Sequence, residues 1–160
     1  MRTASVASRQ DDPCILLVDD NRNGLIARKS VLQEVGYRVQ LASSGEEALQ
    51  VFAAHRFDLV VTDYRMPCIN GAELIQRLRK IRPDIPVILI SGFVEPLGLN
   101  EENTGADVVI PKSAGEVPHL LRSVRRLINR GAKTGRRKPA RKPPAVERAP
   151  SAGKALKLAN

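Results

Sequence analysis

The 160-residue sequence predicts a doubly wound α/β fold, in which a parallel β-sheet carries helices on both faces. Apolar blocks of strand length alternate five times with amphipathic stretches of helix length. Most of these blocks are continuous apolar runs, which are typical of strands buried on both sides of a parallel sheet. The aromatic content of 3% indicates a core built mainly from aliphatic side chains.

The first strand–helix unit begins with the apolar block CILLV, residues 14–18. The amphipathic stretch after it places Leu25, Leu32 and Val35 on one face of a helix. Gly36 ends this helix, because glycine is the residue most often found just beyond a helix C-terminus. These features predict a complete β–α unit.

The second unit pairs the strand YRVQLA, residues 37–42, with a helix that starts near Ser44. Ser44 and Glu47 are three residues apart, the spacing of a capping box, in which each side chain satisfies a backbone N–H of the first turn. The apolar face of this helix consists of Ala48, Val51 and Phe52.

The third and fourth strands are predicted at residues 58–62, DLVVT, and 86–91, PVILIS. The helix after the third strand has an apolar face made of Leu74, Ile75, Leu78 and Ile81. After the fourth strand, residues 93–106 contain Pro96 and Gly98, both unfavourable inside a helix. We therefore expect a degenerate fourth helix that is short, displaced or missing.

The fifth strand is predicted at residues 107–110, DVVI, and a last helix starts near Pro118. Its buried face consists of Leu120, Leu121, Val124, Leu127 and Ile128. Residues 13–130 therefore form one predicted domain of ordinary size.

Positive charge is concentrated after this domain. Residues 131–160 hold 9 Lys and Arg against 1 Glu, whereas residues 1–130 hold 17 basic and 16 acidic residues, and together these account for the net charge of +9. The C-terminal segment is rich in proline and poor in apolar residues, so we predict a disordered basic tail over 131–160. Residues 1–12 are predicted to be disordered as well.

Several classes of protein do not match this composition. The longest apolar runs are far shorter than the ~18 residues that a spanning helix requires, and the N-terminus lacks the apolar region of a secretory signal. A cytoplasmic location is expected. Cys14 and Cys68 are too few for a disulfide framework or a zinc site, so both are predicted to be thiols.

Polar side chains stand at the ends of the predicted strands. Asp19 and Asp20 follow the first strand, Asp63 the third, and Lys112 the fifth, while Ser91 ends the fourth. Because the carboxyl ends of parallel strands meet at one edge of the sheet, these five side chains are expected to lie together. That edge is where open α/β sheets bind their ligands.

Three clustered carboxylates repel one another unless a cation lies among them, and Mg²⁺ prefers such oxygen ligands. A carboxylate can also attack a phosphoryl group to form an acyl phosphate. An ammonium such as Lys112 would neutralise the transferred group, and Ser91 could donate a hydrogen bond to it. The residues therefore predict magnesium-dependent phosphoryl chemistry.

The motifs LLVDD, VVTDYRMPCING, VILISG and GADVVIPKS, in this order and spacing, resemble the receiver domain of two-component response regulators across residues 13–130. The resemblance implies a five-stranded sheet of flavodoxin-like order 2-1-3-4-5. It also implies a single-domain regulator without a folded output domain, phosphorylated by a sensor histidine kinase or a phosphotransfer protein. Such a protein catalyses only its own phosphorylation and dephosphorylation and is not otherwise an enzyme.

The resemblance also assigns a role to each residue of the predicted site. It implies that Asp63 is the phosphoacceptor. It implies that Asp20, Asp63 and the backbone carbonyl of Arg65 bind Mg²⁺ directly, and that Asp19 acts through water. It also implies that Ser91 is the switch hydroxyl and that Lys112 binds the phosphoryl group.

The sequence departs from the family at two positions near the lysine. Family members usually carry a proline joined by a cis bond after the lysine, whereas Ser113 follows Lys112 here and Pro111 precedes it. A cis bond before a non-proline residue costs ~2.5–4 kcal/mol, so we expect a trans bond. Val109 stands where the family commonly has the aromatic residue that turns inward upon activation.

Two alternatives remain open from the sequence. A magnesium-dependent phosphohydrolase of the haloacid-dehalogenase type carries D-x-D after its first strand, whereas here Asp19 and Asp20 are adjacent. In the other alternative, the receiver-like domain is a scaffold and the basic tail binds nucleic acid without sequence preference. The same tail charge could instead meet an anionic membrane surface or an acidic partner protein.

Overall fold

The computed structural model describes residues 11–134 and contains five strands and six helices in that range. The order is β1 Cys14–Val18, α1 Arg22–Glu34, β2 Arg38–Ala42, α2 Gly45–Ala54, β3 Leu59–Asp63, α3 Gly71–Ile81, β4 Val87–Ser91, α4 Val94–Leu97, α5 Glu101–Thr104, β5 Val108–Pro111 and α6 Glu116–Lys133.

The five strands form one parallel sheet of order β2-β1-β3-β4-β5. The predicted doubly wound fold and its flavodoxin-like order are therefore confirmed. The chain moves outward in opposite directions from the neighbouring strands β1 and β3, which makes their junction the topological switch point. The register aligns the strand ends, because Val18 lies opposite Thr62, Asp63 opposite Ile90, and Ser91 opposite Pro111.

Two apolar cores sandwich the sheet. Successive residues of a strand point to opposite faces, so Leu16 and Val60 enter the core beneath α2 and α3, whereas Leu17 and Val61 enter the core beneath α1 and α6. β1, β3 and β4 are buried along their whole length. The continuous apolar runs of these strands thus have a direct cause in burial on both faces.

Two residues assigned to apolar helix faces are exposed. Val35 is 51% and Ile81 52% accessible to solvent, so the prediction that Ile81 faces inward is wrong, and Val35 lies at the exposed end of its apolar face. Val35 is the C-terminal cap of α1, and Ile81 is the last residue of α3. At these points the chain leaves its helix to start the next strand, and the side chain no longer faces the sheet.

The start of α2 differs in detail from the predicted capping box. The Ser44 side chain accepts the Glu47 N–H at 3.1 Å, as expected. The Glu47 carboxylate, however, accepts the N–H and the hydroxyl of Ser43, both at 2.7 Å. These two hydrogen bonds lower the pKa of Glu47, because they favour its charged form. The reciprocal bond is therefore shifted by one residue toward the N-terminus.

The fourth helix is degenerate, as predicted. Two helices of four residues each, α4 and α5, replace one continuous helix. Gly98 ends α4 in the left-handed conformation at φ 59°, which glycine adopts without a steric penalty. Asn100 and Asn103 then cap α5 reciprocally, each side chain accepting the other's backbone N–H at 2.9 Å.

The last helix is longer than predicted at both ends. α6 starts at Glu116, so Pro118 lies in its first turn, where a missing N–H costs no helical hydrogen bond. It continues to Lys133, beyond the predicted domain end at Arg130. Disorder is predicted for residues 1–12 and 131–160, and most of both segments lies outside the described residues; residues 131–133, however, belong to α6. Within residues 11–134, every helix is too short or too polar to cross a membrane.

The first residue of α3 packs against the end of β3. A Cβ on Gly71 would lie 2.5 Å from the Asp63 carbonyl oxygen and 2.7 Å from Leu89 Cδ1. We expect Gly71→Ala to lower the free energy of unfolding by about 1–3 kcal/mol, since the added methyl forces backbone atoms apart. Urea unfolding monitored by circular dichroism measures this change.

Gly131→Ala in α6 is the matched control. Nothing lies within 4 Å of the position of its Cβ, so alanine there should raise the free energy of unfolding by up to about 1 kcal/mol. A similar effect of the two substitutions would contradict the close packing of α3 on β3.

Candidate functional site

The structure brings the five predicted strand-end residues to one edge of the sheet. Asp19 and Asp20 follow β1, Asp63 ends β3, Ser91 ends β4, and Lys112 follows β5. Carboxylate oxygens of the three aspartates lie within 4.8 Å of one another. Asp19 and Asp63 are buried, whereas Asp20 is exposed. The parallel register accounts for this convergence.

Asp63 is a buried carboxylate that contacts a backbone N–H and an ammonium group. Its Oδ1 accepts the Tyr64 N–H at 2.9 Å and lies 3.2 Å from the Lys112 ammonium. Burial raises the pKa of Asp63, and the nearby charge of Asp19 raises it further, while Lys112 and the Tyr64 N–H act in the opposite direction. The net direction is upward, so Lys112 and the Tyr64 N–H do not fully offset the effects of burial and of Asp19.

Asp19 is held by two donors. Its Oδ1 accepts the Asn21 N–H at 2.9 Å, and its Oδ2 accepts Arg28 Nη1 at 2.8 Å. The same guanidinium donates from Nε to Glu116 Oε1 at 2.7 Å. Both oxygens of Asp19 are therefore engaged before any ligand binds.

Arg28 belongs to the site, although sequence analysis did not select it. A signal was present, because residue 28 lies three positions after Leu25 and four before Leu32, on the buried face of α1. A charged residue on an apolar face requires a partner of opposite charge. Asp19 and Glu116 provide two such partners.

Asp20 and Arg65 lie at the open side of the cluster, and both are exposed. The Arg65 guanidinium carbon is 4.0 Å from the centre of the Phe93 ring, so its side chain contacts the segment after β4. Its predicted role concerns the backbone carbonyl and stays a prediction. The side-chain contact joins the β3–α3 loop to the β4–α4 connection.

Ser91 and Lys112 are joined through the backbone. The Ser91 carbonyl accepts the Lys112 N–H at 2.9 Å, and the Ser91 hydroxyl accepts the Phe93 N–H at 3.0 Å. All peptide bonds within the described residues are trans, as predicted for Lys112–Ser113. The ammonium of Lys112 nevertheless reaches Asp63, so the trans bond does not turn it away from the acids.

The donor set suits a hard divalent cation. Three carboxylates supply oxygen ligands, which Mg²⁺ prefers, and one of them is exposed and open to solvent. Burial and then the charge of Asp19 raise the pKa of Asp63, and a cation bound beside it would favour the charged carboxylate. Asp19, Asp20 and Asp63 therefore fit a magnesium ion.

Comparisons with known proteins agree with this geometry. Residues 15–125 match the family model for the response regulator receiver domain. The chain is 37% identical over 107 residues to a response regulator receiver protein of Anaeromyxobacter sp., covering 66% of this chain and 44% of that protein. It is 36% identical over 123 residues to a probable transcriptional regulator, ycf27, of Cyanidium caldarium, and this match covers 74% of this chain and 49% of that protein. The chain thus spans about half the length of these relatives.

Solved structures show the same fold. The response regulator TrrA of Thermotoga maritima, crystallised with Mg²⁺ and BeF, superposes with a TM-score of 0.64 and 35% identity, over 72% of this chain and 98% of that one.

The comparisons give no support to the phosphohydrolase or to the nucleic-acid-binding scaffold. Receiver domains are signalling modules of two-component systems, and they bind Mg²⁺ at an acidic pocket. With the sheet order, the acidic cluster and the family match in agreement, the chain belongs to the response regulator receiver domain family.

Proposed function

We propose that this chain accepts a phosphoryl group on Asp63 as the receiver step of a two-component phosphorelay. The observation that carries the proposal is the position of Asp63: it ends a buried strand, lies 3.2 Å from the Lys112 ammonium and shares an acidic cluster with Asp19 and Asp20. A sensor histidine kinase or a phosphotransfer protein would be the donor, through a phosphohistidine.

The nucleophile is the ionised Asp63 carboxylate. One of its oxygens forms a bond to phosphorus while the phosphorus–nitrogen bond of the donor breaks, and the electron pair of that bond leaves with the imidazole nitrogen. The product is an acyl phosphate on Asp63.

Asp20, Asp63 and the Arg65 carbonyl would hold Mg²⁺ directly, with Asp19 acting through water. Exposed Asp20 is open to direct coordination, whereas both oxygens of Asp19 already accept hydrogen bonds. When bound, Mg²⁺ supplies positive charge to the oxygens of the transferred group and lowers the repulsion between the carboxylates.

Lys112 and Ser91 act on the phosphoryl oxygens. The Lys112 ammonium pairs with Asp63 and would move to the phosphoryl group once the carboxylate is esterified, since the negative charge then lies on phosphorus-bound oxygens. The Ser91 hydroxyl accepts a hydrogen bond from Phe93 and so keeps its own proton free to donate. A phosphoryl oxygen is the acceptor it would meet.

The segment after Ser91 would carry the conformational change. Val109 is half-buried and lacks the ring that turns inward in other family members. The Phe93 N–H is bonded to the Ser91 hydroxyl, and the Phe93 ring lies under Arg65. A shift of Ser91 toward the phosphoryl group would therefore move α4 and α5 directly.

An exposed basic face on α6 favours a second, additional role. Its opposite face is buried, which fixes the orientation of the helix. Within residues 11–134, the arginines of the exposed face form no ion pair. These residues are Arg122, Arg125, Arg126 and Arg130. Together with the basic residues after 131, this face would bind the phosphates of a nucleic acid without reading its sequence.

Asp63→Asn should abolish phosphorylation by acetyl phosphate in the presence of Mg²⁺, because an amide cannot form the acyl phosphate. Intact-protein mass spectrometry measures the modification, and its loss in acid or hydroxylamine identifies the acyl bond. Glu46→Gln, which neutralises an exposed acid of α2, is the control and should be labelled normally. Labelling of the Asp63→Asn protein would place the acceptor elsewhere.

The raised pKa of Asp63 predicts how stability depends on pH without Mg²⁺. Below the unfolded-state pKa of ~3.9, Asp63 is protonated in both states and its ionisation costs nothing. As the pH rises through the raised folded-state pKa, the folded state loses stability relative to the unfolded state. Asp63→Asn lacks this loss, so its stability advantage should grow from pH 3.5 to 7.5.

Urea unfolding of both proteins in EDTA at the two pH values measures this difference. Addition of Mg²⁺ at pH 7.5 should reduce the stability difference between the two proteins, because the ion binds more tightly to the protein that retains the Asp63 carboxylate. A difference that is independent of pH would contradict the raised pKa.

The basic face of α6 predicts salt-dependent binding to duplex DNA. Arg122→Gln/Arg126→Gln in the full chain should weaken binding and reduce the slope of log affinity against log salt by up to about 0.9 for each phosphate that the variant no longer neutralises. Fluorescence anisotropy at several salt concentrations measures the slope. Arg77→Gln/Lys80→Gln on α3 removes the same charge and should leave the slope unchanged; equal slopes for all three proteins would exclude this role.

A further inference from the structure

A buried ion bridge connects the acidic cluster to the start of α6. The Arg28 guanidinium lies 2.8 Å from Asp19 Oδ2 and 2.7 Å from Glu116 Oε1. The three side chains are only 11%, 2% and 16% exposed, respectively, so solvent screens them weakly. Arg28 lies in the middle of α1 and Glu116 begins α6. One charged group thus joins two helices to the site.

The backbone of α1 leaves room for this bridge. Gly24 is one helical turn before Arg28, and a Cβ at that position would lie 3.0 Å from Asp19 Oδ2 and 3.1 Å from Arg28 Nη1. A Cβ there would press on the ends of both side chains and shift them by a few tenths of an ångström. The absence of a Cβ at residue 24 therefore leaves the bridge unobstructed.

The guanidinium stays charged in this environment. Burial acts to lower the pKa of Arg28, but the hydrogen bonds and charges of Glu116 and Asp19 outweigh it, and the net direction is upward. Arg28 thus contributes a permanent positive charge beside Asp19. That charge opposes the entry of a second cation into the cluster, and Glu116 offsets part of it.

We propose that Arg28 is a positioning residue that sets the Mg²⁺ affinity of the Asp19–Asp20–Asp63 cluster, and that Glu116 tunes this effect by sharing the guanidinium. The inference rests on the proposed Mg²⁺ site. Arg28 orients Asp19 and neutralises it, so the cluster attracts a divalent cation less strongly than three free carboxylates would. Because the guanidinium also pairs with Glu116, its positive charge acts less strongly on Asp19.

The bridge also links metal binding to α6. A cation in the cluster attracts Asp19 and weakens its bond to Arg28, because the carboxylate then faces two competing positive charges. Arg28 consequently pairs more strongly with Glu116. The first turn of α6 should therefore respond to Mg²⁺, although it contributes no ligand.

Opposite changes in Mg²⁺ affinity in two variants distinguish this positioning role from a purely structural one. Arg28→Met removes the opposing charge and should tighten Mg²⁺ binding by about tenfold, the scale of one partly screened charge. Glu116→Gln keeps the side-chain shape, leaves Arg28 paired with Asp19 alone, and should weaken Mg²⁺ binding severalfold. If the bridge were purely structural, the two substitutions would change the Mg²⁺ affinity in the same direction or not at all.

Isothermal titration of Mg²⁺ alone into the full-length chain measures these affinities without a phosphodonor, after circular dichroism has shown that each variant is folded. Arg28→Lys keeps the charge and should bind Mg²⁺ nearly as wild type does. The exposed α3 pair, Arg77 and Glu73 at 2.7 Å, provides matched controls. Arg77→Met and Glu73→Gln should leave the affinity unchanged.

NMR provides the second readout. Backbone amide shifts in the first turn of α6 should change on addition of Mg²⁺ to the wild-type protein and stay constant in Arg28→Met. If Arg28→Met does not fold, the test is the Mg²⁺ affinity of Glu116→Gln compared with that of Glu73→Gln. Equal affinities of these two variants overturn the inference. The inference is also overturned if Arg28→Met and Glu116→Gln change the Mg²⁺ affinity in the same direction. Failure of the wild-type chain to bind Mg²⁺ would instead reject the proposed metal site itself.

Discussion

The arrangement of this protein depends on the repulsion between two buried carboxylates. Asp19 and Asp63 lie at the ends of neighbouring strands, 2% and 7% exposed, where water cannot separate their charges. Burial and the charge of Asp19 together raise the pKa of Asp63. The fold holds both acids in place because Asp63 ends β3 and Asp19 directly follows β1, and both strands are buried along their whole length. Positive charge from other parts of the chain is then required.

That charge comes from two directions. Lys112 reaches Asp63 from the connection after β5, and Arg28 reaches Asp19 from α1. Arg28 is shared between Asp19 and Glu116, and the pKa of Asp63 stays raised by burial and by Asp19 although Lys112 acts against this. A site with residual negative charge can attract a magnesium ion and can then accept a phosphoryl group. The incomplete compensation is thus a condition for the proposed chemistry.

Two short helices, α4 and α5, follow the strand β4 that carries Ser91. α4 and α5 are four residues each, with Gly98 and Gly105 in left-handed conformations between and after them. Short helices make few internal hydrogen bonds, so their position depends on contacts with neighbouring loops. Phe93 provides two such contacts, a hydrogen bond to Ser91 and a stacking contact with Arg65. Ser91 and Arg65 both lie beside the acidic cluster, so in the proposed switch a change at the cluster would reach α4 through Phe93.

The sequence alone determined the strands and the edge at which the strand-end residues converge, because each depends on a local pattern. Apolar runs of strand length mark strands buried on both faces, and the residue after each run must stand at the carboxyl edge of a parallel sheet. Pro96 and Gly98 likewise indicated the interrupted fourth helix. Only the tertiary structure decided the partners of Arg28, since Glu116 is 88 residues away and comes near only when α1 and α6 pack on one face of the sheet. The same holds for the contact of Arg65 with Phe93, for the exposure of Val35 and Ile81, and for the reach of Lys112 to Asp63. Sequence periodicity specifies which face a residue occupies, but the distance between two faces is set by how the helices pack on the sheet.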